Sequence, residues 1–215
     1  MKKKICVAIV FALFIVFAKM FIDSSSEERN VMKNELSKYR SGVNVLSVNN
    51  IIVANKKYSL PENYSPQESI EARDAFFKMN EDAQKSGLNL KAFSTYRSYE
   101  YQDRLFKSYI KEHGEEEANR FSAKPGESEH QTGLAFDIGG DDKSCWANQK
   151  FNNTKEAKWL YENAYKYGFI LRYPEGKEDI TGYMYESWHY RYVGTEHSKN
   201  FAMNNLTLEE YLHIN

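Results

Sequence analysis

Two short segments limit what this chain can fold into, because their chemistry makes sense only if the fold brings them together. The first is Ser128-Glu129-His130-Gln131-Thr132-Gly133-Leu134-Ala135-Phe136-Asp137, and the second is Glu186-Ser187-Trp188-His189. Two imidazoles and a carboxylate make a three-ligand set that suits zinc and leaves one position open for water. Gly133 lets the chain turn tightly after His130, and a strand running on from it returns Asp137 toward the same point. His189 must then arrive from a neighbouring strand. Glu186, at the start of that strand, is the natural general base. A single histidine is more often a hydrogen-bonded structural residue, so the reading rests on the pair and its spacing.

Hydrophobic periodicity supplies elements for such a sheet. Ile51-Ile52-Val53-Ala54 reads as a strand or extended arm, and Ile70, Ala72, Phe76, Phe77 and Met79 recur at helical spacing up to a stop at Gly87. Residues 88–96 alternate as a strand that delivers Arg97 at its end, and helices are expected at 100–113 and 115–121. A loop holding Pro125, Gly126 and Ser128 leads into a strand at 134–138. A helix over 155–167 ends at Gly168, extended pieces follow at 169–173, 180–185 and 187–193, and a helix pair is expected at 196–215. Helices precede most of the strands and no strand-helix-strand repeat occurs. The class is therefore α+β, a compact single domain with a small, mostly antiparallel sheet flanked by helices. The excursion 139–153, with Asp141, Asp142 and Trp146, reads either as a groove wall or as a surface insertion.

Before the domain, Lys2, Lys3 and Lys4 precede an apolar run from Ile5 to Ala18, followed by Lys19 and Met20-Phe21-Ile22. That is an export segment: a retained anchor near the lower length limit for a span, or a signal peptide cleaved after Val16-Phe17-Ala18. Basic residues ahead of the run put the N-terminus inside and the domain outside the cytoplasmic membrane. We divide the chain into an anchor or signal peptide at 1–22, a polar stalk at 23–48 and a catalytic domain at 49–215. The formal charge is -1, and without the four lysines of the first segment the remainder is mildly acidic. No basic stripe interleaved with aromatics occurs, so a nucleic-acid partner has no electrostatic footprint. Of the two cysteines, Cys6 lies in the apolar run and Cys145 in the domain, so the domain has no internal disulfide.

The two metal segments match, without departure, the S-x-H-x-x-G-x-A-x-D and E-x-W-H motifs of the VanY-type D-alanyl-D-alanine carboxypeptidase family, which the chain resembles over roughly residues 51–194. Further matching stretches are Tyr96-Arg97-Ser98, Tyr101-Gln102, Pro125-Gly126, Gly168-Phe169-Ile170-Leu171-Arg172-Tyr173-Pro174 and Trp188-His189-Tyr190-Arg191-Tyr192-Val193-Gly194. The resemblance implies a zinc peptidase on a hedgehog-like fold, with His130, Asp137 and His189 as ligands and Glu186 as base. It further implies that Arg97 stabilises the tetrahedral intermediate and that Gln102 and Ser128 contact substrate. The substrate's terminal carboxylate also needs a partner, for which Arg97, Arg172 and Arg191 are candidates. Glu127 and Glu129 read as exposed loop acids. Trp188, Tyr190, Tyr192 and Phe136 read as core or cleft wall, and His113, His197 and His213 as solvated.

The expected activity is zinc-dependent removal of the terminal D-alanine from peptidoglycan stem peptides, from D-alanyl-D-alanine pentapeptides or from L,D-tetrapeptides, by a monomer. An endopeptidase cutting inside the stem or cross-bridge is an alternative. So is an inactive wall-binding module, although that reading predicts a missing ligand or base and all four positions are filled.

Overall fold

Four strands form the sheet that carries the site. β3 (Lys91–Ser94), β4 (Ala135–Gly139), β6 (His189–Tyr192) and β5 (Phe169–Leu171) lie in the order β3-β4-β6-β5, each neighbour antiparallel. The computed structural model describes residues 45–214. The expected anchor and most of the expected stalk lie outside the described residues. Among the described residues, no helix is long and apolar enough to cross a membrane.

The domain opens with a hairpin, β1 (Ser47–Val48) against β2 (Ile51–Ile52). Its two turn residues, Asn49 and Asn50, have φ of 51° and 62°, the left-handed pair that a two-residue hairpin requires and asparagine tolerates. Leu46 and Val48 are buried. The fold therefore takes in Leu46, Ser47 and Val48 from the end of the expected stalk, because β1 pairs with β2.

Periodicity explains the scaffold helix α1 (Ile70–Lys85). Ser69 caps it by accepting from the Ala72 amide at 3.2 Å, and Ala72, Phe76, Met79 and Ala83 form its buried face. Phe76 and Met79 each contribute about 2 kcal/mol by burial. Phe136, at the centre of the sheet, packs against Phe76 at 6.0 Å and against Phe169 at 5.4 Å between ring centroids. Strand β4 alternates cleanly: Phe136 and Ile138 enter this core, while Asp137 lines the opposite, cleft-bearing face.

That cleft is walled by α2 (Tyr99–His113) and α3 (Glu115–Phe121) on one side. Its other wall is the excursion after β4, which makes two 3-10 turns at Lys143–Cys145 and Gln149–Asn153. Between them Trp146 stacks on Phe93 at 4.7 Å, and its Nε1 donates to the Gly140 carbonyl at 2.9 Å. A Cβ on Gly139 would stand 2.4 Å from the Trp146 ring, so glycine there is what lets the indole lie flat. Of the two readings of this excursion, the structure supports the groove wall.

Helix α4 (Lys155–Asn163) passes into a 3-10 turn at Ala164–Tyr167. The expected extended piece at 180–185 forms no strand: its first two residues end a helical turn, α5 (Glu178–Thr181), stopped by Gly182 at φ 80°, and the rest is irregular. Two acids in its first turn and the Thr181 hydroxyl bonded to the Lys177 carbonyl favour the turn over a strand. Helices α6 (Thr195–Asn204) and α7 (Leu208–Leu212) form the expected tail pair.

Candidate active site

His130 sits in a 3-10 turn, Glu129–Thr132, closed by Gly133 in the left-handed conformation. A Cβ at Gly133 would stand 1.9 Å from the Gln67 carbonyl oxygen, so only glycine turns the chain here. The His130 Nδ1–H donates to the Thr95 carbonyl at 2.5 Å, which leaves Nε2 facing Asp137 Oδ2 at 3.2 Å. Asp137 and His189 are register partners across β4 and β6, with Asp137 Oδ1 3.3 Å from His189 Nδ1. Glu186 approaches from the turn before β6, where the His189 amide donates to the Glu186 carbonyl at 3.2 Å. Its Oε2 lies 3.4 Å from His189 Nδ1.

These residues fit a zinc ion. One ligand atom from each of His130, Asp137 and His189 lies within 4.8 Å of the others, and all three side chains are buried. Among the described residues, His130 Nε2 and Asp137 Oδ1 have no hydrogen-bond partner. Leaving such atoms bare in a folded interior costs about 1–3 kcal/mol each unless something else meets them. Two nitrogens and one oxygen are a donor set that zinc accepts, with room for a further ligand.

The charges are strongly coupled. Burial pushes the His130 imidazolium down, and the nearby Arg97 guanidinium pushes it further, to about 4. Burial alone would raise Asp137, but His130 and His189 hold its carboxyl well below the usual range. Burial alone would lower His189, but Asp137, Glu129 and Glu186 around it hold the ring well above its ordinary value. Glu186 is raised by burial, with His189 opposing the shift, as expected of a carboxylate kept basic enough to take a proton.

Arg97 reaches the cleft. Its Nη2 donates to Asp137 Oδ2 at 3.3 Å and its Nη1 to Gln102 Oε1 at 2.9 Å. Gln102 in turn donates to the Ala123 carbonyl at 2.7 Å, so its amide is committed to holding Arg97. Ser128 lines the same cleft, whose volume is about 710 Å³.

Two expected substrate-binding residues do not reach it. Arg172 and Arg191 are fully buried behind the site. There Arg172 Nε and Arg191 Nη1 donate to Glu129 Oε1 at 2.8 and 2.9 Å, and Arg172 also pairs with Glu209. Their place among the candidates for the terminal carboxylate is therefore withdrawn: a guanidinium with no exposed surface and two carboxylates nearby is already neutralised. Glu129 is likewise 0% exposed, not a surface acid. Sequence reasoning also passed over Tyr173 and Tyr183, which line the cleft, and the Tyr183 hydroxyl is buried without a hydrogen-bond partner among the described residues. The one available signal was position: Tyr173 and Tyr183 flank the loop that leads to Glu186.

Three comparisons with known proteins bear on this arrangement. The family described as VanY, D-alanyl-D-alanine carboxypeptidase, matches residues 66–195. The Bacillus subtilis (strain 168) protein YodJ, which carries a carboxypeptidase name, is 42% identical over 198 residues, 83% of this chain and 72% of that protein. The solved structure of an L,D-carboxypeptidase, DacB, from Streptococcus pneumoniae is 43% identical, with a TM-score of 0.70 over 80% of this chain and 92% of that one. A vancomycin resistance D,D-pentapeptidase, a VanY variant solved with Zn(II), is 33% identical, with a TM-score of 0.66 over 75% of this chain and 97% of that one.

Proposed function

The chain belongs to the VanY family of D-alanyl-D-alanine carboxypeptidases, and from that premise we propose that it is a zinc-dependent peptidoglycan carboxypeptidase that removes the C-terminal D-alanine of stem peptides. The observation that carries this reading is the convergence of His130, Asp137 and His189 beside Glu186 on the floor of one cleft. The L,D-tetrapeptide and the D-alanyl-D-alanine pentapeptide both stand as substrates: the chain is 43% identical to an L,D-carboxypeptidase and 45% identical over 121 residues to a bifunctional D-Ala-D-Ala dipeptidase and carboxypeptidase.

Zinc held by the three ligands would supply a Lewis acid that lowers the pKa of water to about 7 and polarises the scissile carbonyl. Glu186 takes the proton of the attacking water and returns it to the leaving amine of D-alanine. Its burial favours both halves of that cycle, since a carboxyl raised above the ordinary range accepts the proton readily and survives as the acid until the amine needs it. Arg97 meets the negative charge that grows on the carbonyl oxygen. Gln102 fixes the guanidinium from behind, and Ser128 offers a hydroxyl to the substrate's terminal carboxylate.

The site of action belongs to the same proposal. The lysines and apolar run at the N-terminus support a domain held outside the cytoplasmic membrane, acting as a monomer on the wall. Protease accessibility in intact cells, with fractionation of membranes, tests this: a cytosolic protein would overturn it.

The deciding assay measures free D-alanine released by the zinc-loaded full chain from synthetic tetrapeptide and pentapeptide stems. Release from the tetrapeptide in preference establishes the L,D reading, and preference for the pentapeptide the D,D reading. Fragments larger than D-alanine would point to an endopeptidase, and no release with zinc bound would sink the enzymatic assignment.

A further inference from the structure

We infer that Glu129, clamped by Arg172 and Arg191, is a positioning residue that holds His189 in the tautomer presenting Nδ1 to the metal. The inference rests on the zinc reading above and concerns which atoms enforce it.

The two ring nitrogens of His189 face opposite ways. Nδ1 is turned to Asp137 Oδ1 and Glu186 Oε2, at 3.3 and 3.4 Å. Nε2 is turned to Glu129 Oε2, at 3.7 Å. Both Nε2 and that oxygen are buried without a hydrogen-bond partner among the described residues, so a small closing of the 3.7 Å gap lets each satisfy the other. The Tyr173 ring, 4.8 Å from the imidazole centroid, packs against it as well.

Glu129 is not free to turn away. Its Oε1 accepts from both Arg172 and Arg191. Arg191 is held further by the carbonyls of Ile52 and Tyr192, at 2.7 and 3.1 Å. Arg172 donates to both oxygens of Glu209, at 2.9 and 2.6 Å, and Glu209 Oε1 accepts from Asn55 at 3.0 Å. Two guanidiniums and two carboxylates thus balance with almost no solvent contact. Only Glu129 Oε2 is left over, and it points at His189.

A buried ion cluster of this kind is a poor source of stability, since apolar residues of the same volume would often serve as well. Its geometry accounts for it better. A metal-ligating histidine commonly donates its second N–H to a carboxylate or carbonyl, which fixes the ring and makes the ligating nitrogen more basic. His130 uses the Thr95 carbonyl for this. His189 uses an anion, and the arginines keep that anion ionised and in place.

The test uses the full chain in detergent micelles with nitrogen-15 histidine and zinc. Long-range proton–nitrogen correlation should show two metal-bound rings of opposite tautomer, one ligating through Nε2 and one through Nδ1 with its Nε2 protonated. Two rings both bound through Nε2 would overturn the inference. Zinc affinity, read by chelator competition, should fall about 10- to 100-fold in Glu129→Gln. It should stay within about twofold in Glu209→Gln, which breaks the far half of the cluster and serves as a control for stability. Equal affinity losses in the two variants, or none in Glu129→Gln, would also overturn it. Should Glu129→Gln fail to fold, the tautomers of the unmodified chain decide. Failure of the unmodified chain to bind zinc would instead bring down the functional reading together with this inference.

Discussion

Asp137 and His189 stand opposite each other across the β4–β6 ladder, and their facing atoms are 3.3 Å apart. Cross-strand register therefore sets the spacing of two of the three ligands, leaving only His130 to be delivered by a turn. A one-residue slip of β6 would send His189 into the core and Tyr190 into the cleft. The core residues that lock this register are thus part of the site's precision.

Replacing Glu186 by alanine removes the proton carrier without touching a ligand. D-alanine release should drop about 100- to 10,000-fold, while zinc still titrates to one equivalent. Coupled D-alanine detection and a chelator titration on the same sample check both halves.

Arg97→Ala should lower kcat about 100-fold, the usual effect of losing one group that meets an oxyanion. Gln102→Ala leaves the guanidinium but frees it to swing, and should lower kcat about tenfold. Steady-state kinetics on the two variants would reveal the difference. Arg172 and Arg191 lie outside the cleft, so their loss should act through the packed interior and the placing of Glu129, not by baring an oxyanion.

In the metal-free domain His130 and His189 should pull stability down on opposite sides of pH 6.5, with Glu186, raised by burial, opposing the acid limb. The native His130, with its pKa pushed down to about 4, refuses a proton that the unfolded chain accepts at 6.5, so stability falls as pH drops from 6.5 toward 4. The native His189, held well above 6.5, keeps a proton that the unfolded chain releases, so stability falls as pH rises above 6.5. Zinc must displace that proton, and its binding should strengthen as the alkaline limb weakens the free protein. Urea midpoints from pH 4.5 to 8.5, with and without zinc, test the crossover.

Gly133→Ala should destabilise the domain by about 3 kcal/mol or more, because it combines a left-handed φ of 71° with a contact of 1.9 Å to the Gln67 carbonyl. Chemical unfolding measures it. Zinc affinity should fall as well, since the same turn aims His130.

The convergence of His130, Asp137, His189 and Glu186 was legible because their segments match a known pair of motifs and because β4 and β6 alternate cleanly. What the sequence did not reveal was depth. Arg191 shares the parity of His189 along β6, so a strand pattern puts both on one face, yet only the first borders the cleft. In sequence Arg172 reads as a substrate contact and Glu129 as an exposed loop acid, because pairing between distant segments leaves no local pattern. Strand β1 at Ser47–Val48 falls within the expected stalk for a similar reason: two residues after a polar stretch read as spacer until a partner strand is seen. The helical turn at Glu178–Thr181 was too short for periodicity to separate from an extended run.

The acid pair behind His189 also has a consequence for the order in which the chain is made. Once residues through Val193 have emerged, all three ligands, Glu186 and Glu129 are available. Arg172 must nevertheless wait for Glu209, in the last helix described, to receive its second carboxylate. Until then a buried guanidinium lacks half of its counter-charge, which disfavours closing the interior over it. Closing of the interior around Arg172 is thereby deferred until residue 209 has emerged, so a chain shorter than that would carry every ligand and still pack its interior poorly.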